Sequence, residues 1–209
     1  MATVLYIQAS PRGDRSMSIA LADVFLDAYA RSHSGDTILK LDLFQAELPP
    51  FEGSILQAKY AILHGRKHTP EQLRAWKAVE AIIDRFKSAD KYVVAVPMWN
   101  FGLPYRLKQY VDILVQPGHT FTYSPQEGYR GLVIGKPVFI AAARGGDYSA
   151  PEGAAMDFQL RYLELILGFI GFTDIRSLVV QPTLMGGGEV AERKLQEAVK
   201  QARLMADEF

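Results

Sequence analysis

Short apolar runs recur along the chain and alternate with longer stretches in which apolar and polar positions follow a helical period. The runs are rich in Val, Ile, Leu and Tyr and end at polar residues, Gly or Pro, as buried parallel strands do. They predict strands at residues 3–9, 38–41, 92–97, 138–143 and 175–181. The helical stretches are residues 18–31, 70–87, 104–115, 155–169 and 189–206.

This alternation predicts a doubly wound, three-layer α/β/α sandwich, because parallel strands need crossover connections and helices usually supply them. Five strands in one parallel sheet favour the order 2-1-3-4-5. Ligands of such sheets bind outside the carboxyl ends of the strands, where the strand order reverses. We therefore expect the loops after the first, third and fourth strands to meet at one site.

Helix starts and long connections complete the predicted organisation. Thr69-Pro70-Glu71-Gln72 is typical of a capping box with Pro at the first helical position, and Pro104 suits the same position in the next helix. Residues 42–69, with a possible short helix at 55–63, and the Gly-rich residues 116–136 are longer than usual connections. We expect one domain over residues 1–209 that carries these two excursions.

Composition narrows the chemistry. Lys plus Arg and Asp plus Glu each number 23, so the formal charge is zero, which argues against a nucleic-acid binder. The chain has no Cys, so any redox chemistry is left to a bound cofactor. His64 and His68 lack a third ligand nearby, so no metal is expected. The chain also lacks a signal-peptide pattern and a membrane-length apolar run, which predicts a cytoplasmic location and no membrane partner.

The loop after the first strand favours an anion. It combines hydroxyls at Ser10, Ser16 and Ser18 with Arg12 and Arg15, and a predicted helix follows it directly. Hydroxyls and the free N–H groups of a helix N-terminus bind phosphate, although Ser16 or Ser18 could equally be only an N-cap. The loop has neither the Walker A pattern nor the dinucleotide-binding glycine pattern, so a monophosphate fits it better.

The next two loops carry groups suited to a planar ring. Trp99, Asn100 and Phe101 follow the third strand, although isolated aromatics more often plug the edge of a core. Gly145 and Gly146 follow the fourth strand and could bring backbone donors close to a ring. A phosphate loop beside two ring-facing loops favours flavin mononucleotide (FMN), which brings its own redox centre.

The sequence resembles the FMN-dependent NAD(P)H-using azoreductases and quinone reductases, a family with the flavodoxin-like fold, over its whole length. The motifs that carry the resemblance lie at residues 10–18, 97–101, 104–108, 118–121, 131–136, 144–146 and 168–171. This chain departs from the family pattern at Met17, where a polar residue is common, and at Trp99, where Tyr is common. Ala143 replaces a common hydroxyl residue, which would remove one hydrogen bond to the flavin.

The resemblance implies roles for individual residues. The residues that would hold the FMN phosphate are Ser10, Ser16, Met17 and Ser18. Those that would run along the flavin ring are Pro97, Met98, Trp99, Asn100 and Phe101, and those at its edge are Ala143, Arg144, Gly145 and Gly146. The substrate pocket would involve His119, Phe121 and Tyr123, which could also form a surface hairpin, and Phe172 could reach it. The family is homodimeric, and each site is walled partly by the other subunit.

The implied activity is two-electron reduction of quinones and aromatic azo compounds by NADH or NADPH, with one FMN per subunit. Donor and acceptor would use one slot in turn, with hydride transfer at flavin N5, so ping-pong kinetics are expected and no catalytic side chain is assigned. A flavodoxin-type electron carrier without its own substrate is the alternative, which the neutral charge disfavours. The helix at 155–169 is apolar around much of its circumference, so we expect it to be buried, with a subunit interface as an additional role.

Overall fold

A five-stranded parallel sheet organises the part of the chain that the computed structural model describes, residues 1–63, 66–67 and 69–209. Its strands are β1 (Thr3–Gln8), β2 (Thr37–Asp42), β3 (Lys91–Pro97), β6 (Val138–Ala143) and β7 (Ile175–Val180). They are ordered β2-β1-β3-β6-β7, and each neighbouring pair is parallel. The remaining strands, β4 (Phe121–Ser124) and β5 (Gly128–Gly131), form an antiparallel hairpin. Without the hairpin, the sheet has the predicted order.

Helices cover both faces of this sheet because successive side chains of each strand point to opposite sides. The helices are α1 (Met17–Ser32), α2 (Gly53–Leu63), α3 (Pro70–Lys87), α4 (Tyr105–Leu114), α5 (Pro151–Ala154), α6 (Leu160–Ile170) and α7 (Gly187–Asp207). Side chains of α1 and α7 pack with Val93, Phe139 and their neighbours on one face. Side chains of α2, α3, α4 and α6 pack with Val94, Ile140 and their neighbours on the other. None of the described helices is long and apolar enough to cross a membrane.

The predicted signals at two helix starts have different outcomes. Gln72 N–H donates to Thr69 Oγ1 and Thr69 N–H donates to Gln72 Oε1, which confirms the capping box of α3. Pro104 is the N-cap of α4 and lies one residue before the helix begins, outside the expected first helical position. His64 and His68, weighed above as metal ligands, lie outside the described residues.

The helix expected at 155–169 is corrected by the structure. A short helix, α5, ends at Ala154, and α6 begins only at Leu160 because Asp157 Oδ1 accepts hydrogen bonds from the N–H groups of Gln159 and Leu160. One side of α6 is buried within the chain, whereas Leu165 is 70% exposed. Burial around the whole helix, as expected from its composition, is therefore absent in a single chain.

The hairpin excursion lies at the amino-terminal edge of the sheet. Lys87, the last residue of α3 before β3, donates from Nζ to the carbonyl of His119. The N–H of Val133 donates to the carbonyl of Ile170, where α6 ends before β7, at 2.8 Å. The excursion at residues 42–69 contains α2, which packs on α3. Arg106 Nε donates to the carbonyl of Leu43, at the start of the excursion, at 2.7 Å.

We expect Gly131→Ala to destabilise the protein. A Cβ on Gly131 would lie 2.3 Å from the backbone nitrogen of Gly171, so the hairpin would have to move away from the end of α6. Overpacking of this kind costs about 2 kcal/mol of unfolding free energy, measured by urea denaturation. Gly168→Ala on α6 is the matched control, since a Cβ there meets nothing within 4 Å. Equal stability of the two variants would contradict the close approach.

Candidate functional site

Three loops meet at the carboxyl edge of the sheet because their strands are adjacent and parallel. The ladder continues past the strand ends: Ala9 N–H donates to the carbonyl of Ala95 at 2.9 Å, and Met98 N–H donates to the carbonyl of Ala143 at 2.8 Å. The loop after β1 therefore lies beside the loop after β3, which in turn lies beside the loop after β6. This is the juxtaposition that the sequence predicted.

The loop after β1 presents a concentrated set of donors. The side chains of Ser10, Ser16 and Ser18 are buried, and the hydroxyl oxygens of Ser16 and Ser18 lie 3.1 Å apart. Ser16 is the N-cap of α1, since its Oγ accepts from the N–H of Ile19 at 3.5 Å. The N-cap interpretation is thus correct for Ser16.

The N-terminus of α1 remains open to an anion. Among the described residues, no acceptor is paired with the N–H groups of Met17 and Ser18, the first residues of the helix. Arg12 and Arg15 flank this end of α1, and both are exposed. Free helical N–H groups, hydroxyls and two guanidinium groups together fit a phosphate.

The loop after β3 is a tight turn in a strained conformation. Trp99 and Gly102 exchange backbone hydrogen bonds at 3.0 and 2.9 Å. The two residues between them, Asn100 and Phe101, have φ of 46° and 69°, as in a type I′ turn. Phe rarely adopts a positive φ, which costs on the order of 1–3 kcal/mol, and such strain concentrates at functional sites. The turn leaves the ring of Phe101 46% exposed.

Trp99 belongs to an aromatic cluster at this edge. Its ring centroid lies 5.8 Å from that of Phe44, in the loop after β2, and 6.2 Å from that of Tyr105, at the start of α4. The half-buried Trp99 therefore packs partly against the edge of the core, which agrees with the alternative interpretation of this residue as a core aromatic. Sequence reasoning did not identify Phe44 or Tyr105 as neighbours of the site, because nothing local links them to the turn.

The loop after β6 presents backbone donors. Its first residue, Arg144, continues the ladder with β7 by donating its N–H to the carbonyl of Val180 at 3.0 Å. The N–H groups of Gly145 and Gly146 have no acceptor among the described residues, while the carbonyl of Gly145 accepts from Leu184 and Met185. Leu184, which is 74% exposed, is a further residue of this edge that the sequence did not reveal.

The side chain of Arg144 is buried beneath the loop after β6. It is 4% exposed, and its Nη2 lies 2.7 Å from Asp157 Oδ2. The guanidinium also lies 5.7 Å from the ring centroid of Tyr148, in the same loop. The sequence analysis did not single out Asp157, which lies three residues before α6 and outside the N-cap position where an Asp signals a helix start.

The residues predicted to line the substrate pocket lie far from the three loops within this chain. Phe172 is buried in the core at the amino ends of the strands, 5.0 Å from the ring of Tyr92, so its suggested reach to the site finds no support. The ring of His119 lies beside α3, with Nε2 3.8 Å from Glu80 Oε1. Phe121 packs on Phe169 at 4.9 Å and Tyr123 is 60% exposed on the hairpin. All four are at the edge opposite to the loops.

The donor set at the carboxyl edge fits FMN. The loop after β1 supplies hydroxyls and N–H groups for a phosphate, and Gly145 and Gly146 supply two N–H groups for the acceptors on a ring edge; none of these N–H groups has a partner in the part of the chain that the structure describes. A Cβ on Gly146 would lie 3.4 Å from the ring of Tyr148 and 3.7 Å from Met185 Sδ, so this backbone lies close to two side chains of the same edge.

Comparison with known proteins gives an independent view of the chain. A family model described as flavodoxin-like fold matches residues 2–205. A protein of Nitratidesulfovibrio vulgaris named FMN-dependent NADH:quinone oxidoreductase is 56% identical over 100% of both chains. The crystal structure of an azoreductase from Bacillus anthracis is 30% identical over 100% of both chains, with a TM-score of 0.91. An FMN-dependent NADH-azoreductase of B. anthracis in complex with FMN is 28% identical and has a TM-score of 0.85, over 99% of this chain and 100% of that one. The chain therefore belongs to the family of the flavodoxin-like fold.

Proposed function

We propose that this protein is an FMN-dependent NADH:quinone oxidoreductase that also reduces aromatic azo compounds. The observation that carries this proposal is the full-length identity of 56% to a protein of that name. The three loops with their unpaired donors support it independently, since they offer what a flavin mononucleotide requires. Bound FMN supplies the hydride-transfer chemistry, and the protein binds and orients it.

The loop after β1 holds the phosphate in this proposal. The N–H groups of Met17 and Ser18 donate to phosphate oxygens at the positive end of the α1 dipole, and the hydroxyls of Ser10, Ser16 and Ser18 add donors. The exposed Arg12 and Arg15 add positive charge beside the N-terminus of α1.

The two other loops hold the ring. The strained turn, with Trp99, Asn100 and Phe101, follows Pro97 and Met98 and lines one side of it. At the ring edge, Ala143 and the backbone of Arg144 precede Gly145 and Gly146, whose N–H groups donate to ring acceptors. Such donors stabilise negative charge that develops on the ring during reduction.

The proposed active form is a homodimer with one FMN per subunit. His119, Phe121 and Tyr123 lie at the amino edge of their own sheet, so they border a substrate pocket only if a second copy brings its hairpin to the site. Exposed side chains of Tyr123 and Tyr129 on the hairpin, and of Leu165 on the adjacent α6, support an interface there. Two clusters that cover both faces of one sheet support a single domain over residues 1–209. A cytoplasmic location stays a prediction from the sequence.

Turnover with a panel of acceptors tests the activity. We expect the purified protein to be yellow, to lose the flavin absorption when NADH is added without air, and to recover it when benzoquinone or an azo dye follows. Because donor and acceptor use one slot in turn, double-reciprocal plots should be parallel. A yellow protein that NADH cannot reduce would instead indicate an electron carrier.

We expect Gly146→Ala to weaken FMN binding without loss of stability. The added methyl meets Tyr148 and the Met185 Sδ only at 3.4 and 3.7 Å, so the fold accommodates it. In the proposed site it would crowd the ring edge to which the Gly146 N–H donates. The FMN dissociation constant, measured by fluorescence titration of the apoprotein, should rise at least about tenfold. Gly168→Ala controls for adding a methyl elsewhere. An unchanged constant would remove this loop from the site.

We expect Tyr123→Ser to raise the KM for quinone severalfold while the FMN dissociation constant stays unchanged. Tyr123 would act across the interface, so the effect requires the dimer, which analytical ultracentrifugation measures. Thr122→Ser is the matched control, since adjacent strand residues point to opposite faces of the hairpin. A monomeric enzyme with the wild-type kcat would contradict the proposed assembly.

A further inference from the structure

A buried ion pair joins the loop after β6 to the segment that precedes α6. Arg144 and Asp157 are 4% and 8% exposed, and Nη2 lies 2.7 Å from Oδ2. Arg144 Nε also donates to Oε1 of the fully buried Gln159 at 2.9 Å. In every other ion pair between described residues, both side chains are more than a quarter exposed, at 27% or above.

Residues 157–159 contact three elements of the proposed ring site: β3, the Trp99–Gly102 turn and the loop after β6. Asp157 pairs with Arg144 after β6. Phe158 N–H donates to the carbonyl of Phe101, in the strained turn, at 3.0 Å. Gln159 Nε2 donates to the carbonyl of Val96, near the end of β3, at 3.0 Å. Three successive residues thus connect β3, its turn and the loop after β6.

Tyr148 provides a second connection between the same elements. Its ring centroid lies 5.7 Å from the guanidinium carbon of Arg144 and 6.3 Å from the ring of Phe101, edge to face. Tyr148 N–H and Arg144 Nη1 share Gln181 Oε1 as their acceptor. The guanidinium therefore lies at the centre of a network whose ends are the turn and the Gly145-Gly146 loop.

The cost of this arrangement indicates a positioning role. Desolvation of two charges offsets much of the attraction in a buried pair, so apolar residues of similar volume would often stabilise the fold as well. A Phe with positive φ, by contrast, persists only where surrounding contacts determine it. The hydrogen bond from Phe158 is such a contact, and the fixed position of Phe158 depends on its neighbours Asp157 and Gln159.

We propose that Asp157 is a positioning residue for the flavin site: through Arg144 and residues 157–159 it holds the Trp99–Gly102 turn and the Gly145-Gly146 loop in the arrangement that binds the ring. This inference rests on the proposed function. Asp157 itself does not touch the ligand, because its carboxylate is engaged by Arg144 and by the N–H groups of Gln159 and Leu160.

Asp157→Asn tests this role. The amide can keep Oδ1 for the start of α6 but turns an NH₂ group toward the guanidinium. We expect the FMN dissociation constant, measured at a temperature where circular dichroism shows the variant fully folded, to rise at least about tenfold. The control, Asp174→Asn, breaks the partly exposed pair with Arg176 at the amino end of β7 and should leave the constant unchanged.

A merely structural role gives a different result. In that case the melting temperature of Asp157→Asn falls, but the folded variant binds FMN with the wild-type constant, which would overturn the proposal while the proposed function stands. Failure of the wild-type protein to bind FMN would refute the proposed function instead. Arg144→Lys keeps the charge but loses the forked geometry, so we expect it to raise the constant as well.

A double-mutant cycle with Phe101→Gly tests the route through the turn. Gly adopts the positive φ of position 101 without strain, so the turn no longer needs the network to hold it. On the Phe101→Gly background, Asp157→Asn should therefore raise the FMN dissociation constant by a smaller factor than on the wild-type background, and the remaining effect would come from the Gly145-Gly146 loop. Equal factors on both backgrounds would exclude the turn as the element that Asp157 positions.

Discussion

The parallel pairing of β1, β3 and β6 is the constraint on which the candidate site depends. Strands that run in one direction end at one edge, so segments near residues 10, 98 and 144 become neighbours although long stretches of sequence separate them. The backbone ladder extends one residue past the strands, through Ala9 to Ala95 and Met98 to Ala143. Each loop therefore starts from a fixed position, and their donors can act on one ligand.

Local free-energy costs accumulate at this edge. Phe101 has a positive φ, and Arg144 and Asp157 are buried charges. Natural chains violate local rules at functional sites, and stable packing elsewhere offsets the cost. Here the packing is in the two apolar clusters that cover both faces of the sheet.

The two edges of the sheet differ in character. The carboxyl edge concentrates polar donors, whereas the amino edge carries the hairpin, held by Lys87 and by the close approach of Gly131 to Gly171. Exposed aromatics on the hairpin give that edge an apolar surface. One chain thus separates the edge that carries the candidate site from an edge that carries exposed aromatic side chains.

The sequence by itself determined the alternation of strands and helices and the chemistry of the loops. Each predicted strand of the parallel sheet agrees with the structure to within one residue at either end, because run length and period are local properties. The start of α6 was misplaced, since apolar content continues through residues 155–159 while the hydrogen bonds of Asp157 decide where the helix begins. Only the tertiary structure decided that Arg144 turns inward to Asp157, that Phe44 and Tyr105 join Trp99, and that Phe172 and His119 lie at the opposite edge. These outcomes depend on which distant segments pack together, and no local pattern encodes that proximity.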